Sequence, residues 1–153
     1  MSGPFKDVRV LELTSTVSGP FAGMMLADQG AEVIKIEPPG IGDLARFMGT
    51  IKDGMGAMFS TLNRNKKCIC LDFKNEDDLQ VLINLVATAD VLIENYRPGI
   101  VKKLGIDYDS LIEIKPDLIY CSISGYGQSG PYVEKKVYDL SLIHISEPTR
   151  PSR

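Results

Sequence analysis

No apolar run in this 153-residue chain reaches the length of a membrane span. Residues 1–7 carry neither the basic flank nor the apolar core of a secretory signal. Histidine occurs once, at His144, and cysteine three times, at Cys68, Cys70 and Cys121. Neither the Cys68-Ile69-Cys70 spacing nor a nearby histidine suggests zinc, so no metal is expected. All three cysteines lie in or beside apolar strand-like runs and are expected to be reduced, buried thiols of a cytoplasmic protein. A mitochondrial location stays open for a eukaryotic parent, although no transit peptide is seen. Charge is not concentrated in one sign: the net value is −3 with both signs interspersed, which argues against nucleic acid as a partner. No membrane partner is expected either. The length fits one domain, with enough apolar content to bury a core.

What is present starts with an apolar run over 8–13 that stops at a polar turn, 14–18. A small-residue stretch over 19–29 suits a helix, and a second apolar run covers 33–36. This is the pattern of strand, helix and parallel strand, and it makes the sheet edge near 14–20 a candidate ligand crevice. Gly19 and Pro20 fit a helix start, where the N–H that proline lacks would go unpaired anyway. Gly23 and Ala27, four apart, give one helix face a low profile, and Gly30 fits the position just past the helix end. First-turn N–H groups would then point into the crevice toward phosphate or carboxylate. A plain turn whose small residues only pack is the competing reading.

The alternation continues. Residues 46–65 read as irregular, with a short helix over 57–63. Strands are expected near 68–73, 90–94 and 118–124, in addition to 8–13 and 32–37. An amphipathic helix over 75–88 is capped by Asn75 with Glu76, Asp77 and Asp78 in its first turn. Shorter helices are expected over 100–104 and 110–114. The fold class is α/β: a Rossmann-like, open, mostly parallel sheet with helices on both faces.

The wording on this frame resembles the class III CoA-transferases, the CaiB/BaiF family. It is carried by Ser18-Gly19-Pro20-Phe21-Ala22-Gly23 and by Gly30-Ala31-Glu32-Val33-Ile34-Lys35-Ile36-Glu37. Asn63-Arg64-Asn65-Lys66-Lys67 with Leu71-Asp72-Phe73-Lys74 gives the second landmark, and Ala89 through Gly99 the third. Tyr120-Cys121-Ser122-Ile123-Ser124-Gly125-Tyr126-Gly127 and Tyr138-Asp139 complete the series. The wording of 120–131 is similar to members acting on dicarboxylate CoA esters.

The resemblance implies that strand-end loops hold coenzyme A as an acyl-CoA substrate, with a carboxylic acid as second substrate and no redox cofactor. Carried over, the contacts would be Val17 and Ser18; Leu71, Asp72, Phe73 and Lys74; Asn95, Tyr96 and Arg97; Lys103; and Lys136, Val137, Tyr138 and Asp139. Arg97, Lys103 and Lys136 would neutralise phosphates, whereas Lys66 and Lys67 read as ordinary solvated charges. Pro38 stands where the formyl-CoA transferase branch carries a coenzyme-binding arginine. In the family an aspartate attacks the acyl-CoA carbonyl, giving a mixed anhydride and then an enzyme thioester with CoA. The resemblance places that aspartate downstream of Tyr138-Asp139, in sequence this chain does not carry, so Asp139 is not the nucleophile. The racemase branch has a catalytic histidine where Tyr138 stands, which favours the transferase over an acyl-CoA racemase or epimerase.

Residues 1–140 therefore read as the N-terminal coenzyme-binding part of a transferase large domain. Residues 141–153 depart from the family wording and read as foreign sequence joined to a truncated gene, which leaves His144 without a role. The family's complete proteins are homodimers interlocked like linked rings, so this stretch alone is expected to leave apolar surface uncovered. A non-catalytic CoA- or nucleotide-binding module is the other reading.

Overall fold

The structure is a computed structural model that describes residues 3–135 and 137. In chain order its elements are β1 (Arg9–Leu13), α1 (Ser18–Asp28), β2 (Glu32–Glu37) and a 3-10 turn (Leu44–Phe47). Then come β3 (Ile51–Lys52), β4 (Met55–Gly56), α2 (Ala57–Leu62), β5 (Lys67–Cys70) and α3 (Glu76–Val86). The series ends with β6 (Val91–Glu94), α4 (Ile100–Lys103), α5 (Tyr108–Ile112) and β7 (Ile119–Ser122). One five-stranded sheet has the order β5-β2-β1-β6-β7, and every neighbouring pair in it runs parallel.

Register sorts the side chains into two layers. Val10 pairs with Val33 and Val91, and Leu11 pairs with Ile34 and Leu92. Leu11, Leu13 and Leu92 pack with Leu82 and Val86 of α3 and Leu111 of α5. Val10, Val33 and Ile93 pack on the opposite face with Ala27 of α1. Helices thus cover both faces, as parallel strands require.

Helix α1 lies close to the sheet because it turns Gly19, Gly23 and Ala27 inward, all buried. A Cβ at Gly19 would come within 2.3 Å of Thr14, and one at Gly23 within 1.9 Å of Glu12 Oε2. Under that helix sits a closed group of charges. Glu12 and Lys35, partners across β1 and β2, have fully buried side chains. The Lys35 ammonium donates to Glu12 Oε1 at 3.0 Å and to the Thr14 carbonyl at 2.8 Å, and pairs with Asp43 Oδ2 at 2.9 Å. Lys66 meets the other Glu12 oxygen at 2.6 Å and donates to the Pro20 carbonyl and to Asn63 Oδ1. Burial pushes its ammonium pKa down against the pull of Glu12.

The structure corrects four expectations. Lys66 is not a solvated charge: its side chain is 0% exposed, whereas Lys67 is 70% exposed. Cys68, Cys70 and Cys121 are exposed rather than buried, because they lie on β5 and β7, the two outer strands of the sheet. Residues 46–65 are not irregular apart from α2; they contain the β3–β4 hairpin, turned by Asp53 and Gly54 at φ 51° and 78°. Strand β5 ends at Cys70, so residues 71–73 belong to the connection into α3. The expected Asn75 cap is present, its side chain accepting from the Asp77 N–H at 2.9 Å. Gly30 follows α1 at φ 102°. Around the hairpin, Ile41, Leu44, Phe47, Met48, Ile51 and Met55 are exposed.

Replacing Lys35 by Met leaves Asp43 a buried anion without its cation, and is expected to cost about 3–5 kcal/mol. Gly23→Ala is expected to cost about 1–3 kcal/mol through the clash with Glu12. Urea unfolding measures both. A K35M midpoint equal to that of the wild type would refute a structural role for the cluster.

Candidate functional site

Strand order reverses at β1: β2 and β5 extend to one side, β6 and β7 to the other. Chains leaving the carboxyl ends of β1 and β6 therefore diverge, and a crevice opens between them. It holds about 480 Å³ and is lined by residues 15–18 after β1, 95–98 after β6 and 123–127 after β7, with Leu44, Val133, Lys135 and Val137. Arg97 and Lys135 are its only charged lining residues among those described, and no acid lines it.

The wall after β1 is fixed from two sides. The Asn95 side chain accepts the Ser15 N–H at 3.0 Å and donates to the Ser15 carbonyl at 2.9 Å, tying the β1 loop to the end of β6. From the other side, Asp43 Oδ1 accepts from Ser15 Oγ at 3.0 Å and from the Thr16 and Ala45 N–H groups at 2.9 Å each. Burial alone would raise the Asp43 pKa, but these donors and the Lys35 cation outweigh it and hold the carboxyl below its ordinary value. Asp43 is itself held by Glu37, which accepts the Asp43 N–H at 2.8 Å and binds Arg46 through both oxygens. Just beyond, α1 begins after Val17 without a side-chain cap, and Val17 and Ser18 at its start line the crevice.

The wall after β6 carries a buried carboxyl. Glu94 is 1% exposed; Oε2 accepts the Tyr96 N–H at 2.8 Å, and Oε1 has no hydrogen-bond partner among the described residues. Burial raises its pKa above the ordinary value of 4.5. Burial, with the nearby Glu94 charge, also raises the Tyr96 and Tyr120 phenols. In the third wall the Tyr126 hydroxyl is buried, also without a hydrogen-bond partner among the described residues. Its ring lies 5.5 Å from that of Tyr132, with the Lys135 ammonium 5.8 Å and 5.1 Å from the two centroids.

Of the residues expected to contact a ligand, Val17, Ser18, Asn95, Tyr96, Arg97 and Val137 line the crevice. Leu71, Asp72, Phe73 and Lys74 do not; they follow β5, the far edge strand on the carboxyl side of the sheet. Leu71 is buried in the core, and Asp72 accepts the Lys74 N–H while donating its own to Asp78. Lys103 ends α4 exposed and outside the crevice. Lys136, Tyr138 and Asp139 lie outside the described residues. Ser15 and Thr16 fall in the 14–20 edge expected to form a crevice but, like Tyr126 and Lys135, were not named among the contacts. The Gly125-Tyr126-Gly127 turn directly after a strand was the available signal for the third wall.

With this geometry in view, comparison with known proteins places the chain in the CoA-transferase family III, whose model matches residues 5–146. Acetyl-CoA:oxalate CoA-transferase of Acetobacter aceti is 45% identical over 144 residues, covering 94% of this chain and 37% of the relative. Human succinyl-CoA:glutarate CoA-transferase is 42% identical over 152 residues, covering 95% of this chain and 35% of the relative. A CaiB/BaiF family protein from Brucella suis superimposes with a TM-score of 0.89 at 42% identity, covering 94% of this chain and 39% of that one. The chain thus spans little more than a third of the length of each of these proteins.

The Glu94 carboxyl makes a pH prediction. Its folded-state pKa lies above the unfolded value, so ionisation opposes folding. Stability from this group is complete below the unfolded pKa and falls as pH rises through the folded one. Glu94→Gln keeps an acceptor for the Tyr96 N–H and is expected to gain on the wild type as pH rises from about 4 to 8. Thermal melts across that range measure it, and a difference that does not change with pH would count against the buried-carboxyl account.

Proposed function

We propose that this chain forms the N-terminal, coenzyme-binding part of an enzyme that moves coenzyme A from an acyl-CoA donor to a free carboxylic acid. The observation that carries this reading is the charge of the crevice. In a chain of net charge −3, its only charged lining residues among those described are Arg97 and Lys135, beside the uncapped start of α1. That combination suits a polyanion, with phosphates at the cations and the helix start. The amide-bearing arm of coenzyme A fits the backbone edges after β1, β6 and β7. Membership in the family, and relatives named as CoA-transferases, support the transfer chemistry.

The reaction runs through a carboxylate nucleophile outside this chain. Its oxygen attacks the acyl-CoA carbonyl and expels the thiolate, giving a mixed anhydride. The thiolate then attacks the enzyme's own carbonyl, releasing the donor acid and leaving an enzyme–CoA thioester. The acceptor carboxylate reverses the two steps with its own acyl group, which restores the enzyme carboxylate and yields the new acyl-CoA. The complete enzyme is an interlocked homodimer.

Titration calorimetry of this chain with coenzyme A tests the binding half. Arg97→Ala is expected to weaken binding roughly tenfold or more by removing a charge-assisted contact. Tyr126→Phe is expected to weaken it about fivefold while leaving the melting temperature unchanged, since the hydroxyl has no hydrogen-bond partner among the described residues. Absence of binding by the wild type, or binding indifferent to Arg97, would overturn the reading.

A further inference from the structure

Thr16 is the strained residue of the crevice. It is β-branched yet sits at φ 74°, a left-handed conformation that such residues rarely adopt. Conformations of this kind persist only where the surroundings over-determine them. Here the source is identifiable: the Thr16 N–H donates to Asp43 Oδ1 at 2.9 Å, and the Ser15 hydroxyl donates to the same oxygen at 3.0 Å. Asp43 comes from a different stretch of chain, after β2, and is 1% exposed. Its other oxygen faces the fully buried Lys35 ammonium at 2.9 Å. The side chain is therefore locked before it reaches the loop.

The geometry points to Asp43 as a positioning residue for the crevice, holding Thr16 left-handed so that the uncapped first turn of α1 faces the ligand. Asp43 does not line the crevice and touches no ligand itself. It acts through the direction in which the backbone leaves residue 16. Val17 and Ser18, the next residues, line the crevice and start the helix. Lys35 pairs with Glu12 of β1 as well as with Asp43, so one ammonium connects the β1–β2 pair to this loop. The consequence for ligand affinity rests on the coenzyme A reading above; the consequence for the loop does not.

A double-mutant cycle separates positioning from simple stabilisation. Glycine adopts the left-handed conformation without strain, so Thr16→Gly alone sets the coenzyme A affinity against which the double variant is read. Asp43→Asn, with the loop free to relax, is expected to weaken it about tenfold. Thr16→Gly in the Asp43→Asn background is expected to recover at least about threefold of that loss, because the loop no longer needs to be forced. A purely structural Asp43 gives no such recovery. Thr16→Pro fixes φ on the negative side while leaving the Lys35–Asp43 pair intact, so it keeps the test decisive if Asp43→Asn does not fold. It is expected to weaken binding about tenfold.

The same four variants are compared without ligand by the backbone amide and Cα shifts of residues 15, 17 and 18, which report the conformation at 16. Restoration of wild-type shifts in the double variant supports the positioning role. Wild-type shifts and affinity in Asp43→Asn or Thr16→Pro, or strictly additive effects in the cycle, would overturn it. A wild-type chain that binds no coenzyme A would end the ligand reading, and the unliganded shifts would still decide the role of Asp43.

Discussion

One buried ammonium organises the molecule. Lys35 projects from the second strand with its side chain fully buried, and its ammonium meets three acceptors: Glu12, the Thr14 carbonyl and Asp43. A cation left unpaired there would be prohibitive, so the positions of those three groups are fixed together. Glu12 in turn requires Lys66, brought in from the chain before β5, and the pair requires glycine at 23 so that α1 can lie over it. A cluster of this kind is weak evidence for stability as such, since apolar residues of the same shape often do as well. Its value here is in direction. It ties the end of β1, the connection after β2 and the start of α1 to one another at the edge where the crevice opens.

The crevice inherits its character from that arrangement. Acids are abundant in the chain, yet three beside the crevice are turned inward: Asp43 toward Lys35, Glu37 toward Arg46, and Glu94, which is buried. Facing outward are backbone groups, hydroxyls and the cations Arg97 and Lys135. The same residues thereby keep negative charge out of the lining of the crevice, the surface proposed to receive a polyanion. Membership in the CoA-transferase family III gives this electrostatic shape its meaning.

Much of the scaffold was legible in the sequence because parallel strands buried on both faces read as short apolar runs, and five such runs became the five strands of the sheet. The first helix was legible from its glycines, and the third from Asn75 and the acids behind it. What was not legible depended on neighbours distant in sequence. Whether Cys68 is buried is decided by β5 being an outer strand, which no local pattern reveals. Lys66 looks like a surface lysine until Glu12 is placed beneath α1, although an acid interrupting the run Val10, Leu11, Leu13 was a local sign that a buried cation must exist. The Asp53-Gly54 turn carried the usual signal of a tight hairpin, but its two-residue strands were too short to register as periodicity. For the site, the residues after β1 and β6 were found from strand pattern and loop wording, while Lys135 emerged only when three strand ends were brought together.

The central claim is that ligand enters between the ends of β1 and β6, over a loop anchored by Lys35. Backbone amide shifts of the isotope-labelled chain titrated with coenzyme A test it most directly. The expected result is perturbation concentrated at residues 15–18, 95–98 and 123–127, with the sheet interior unchanged. Perturbation centred on residues 71–74 and Lys103, leaving those three loops untouched, would contradict it.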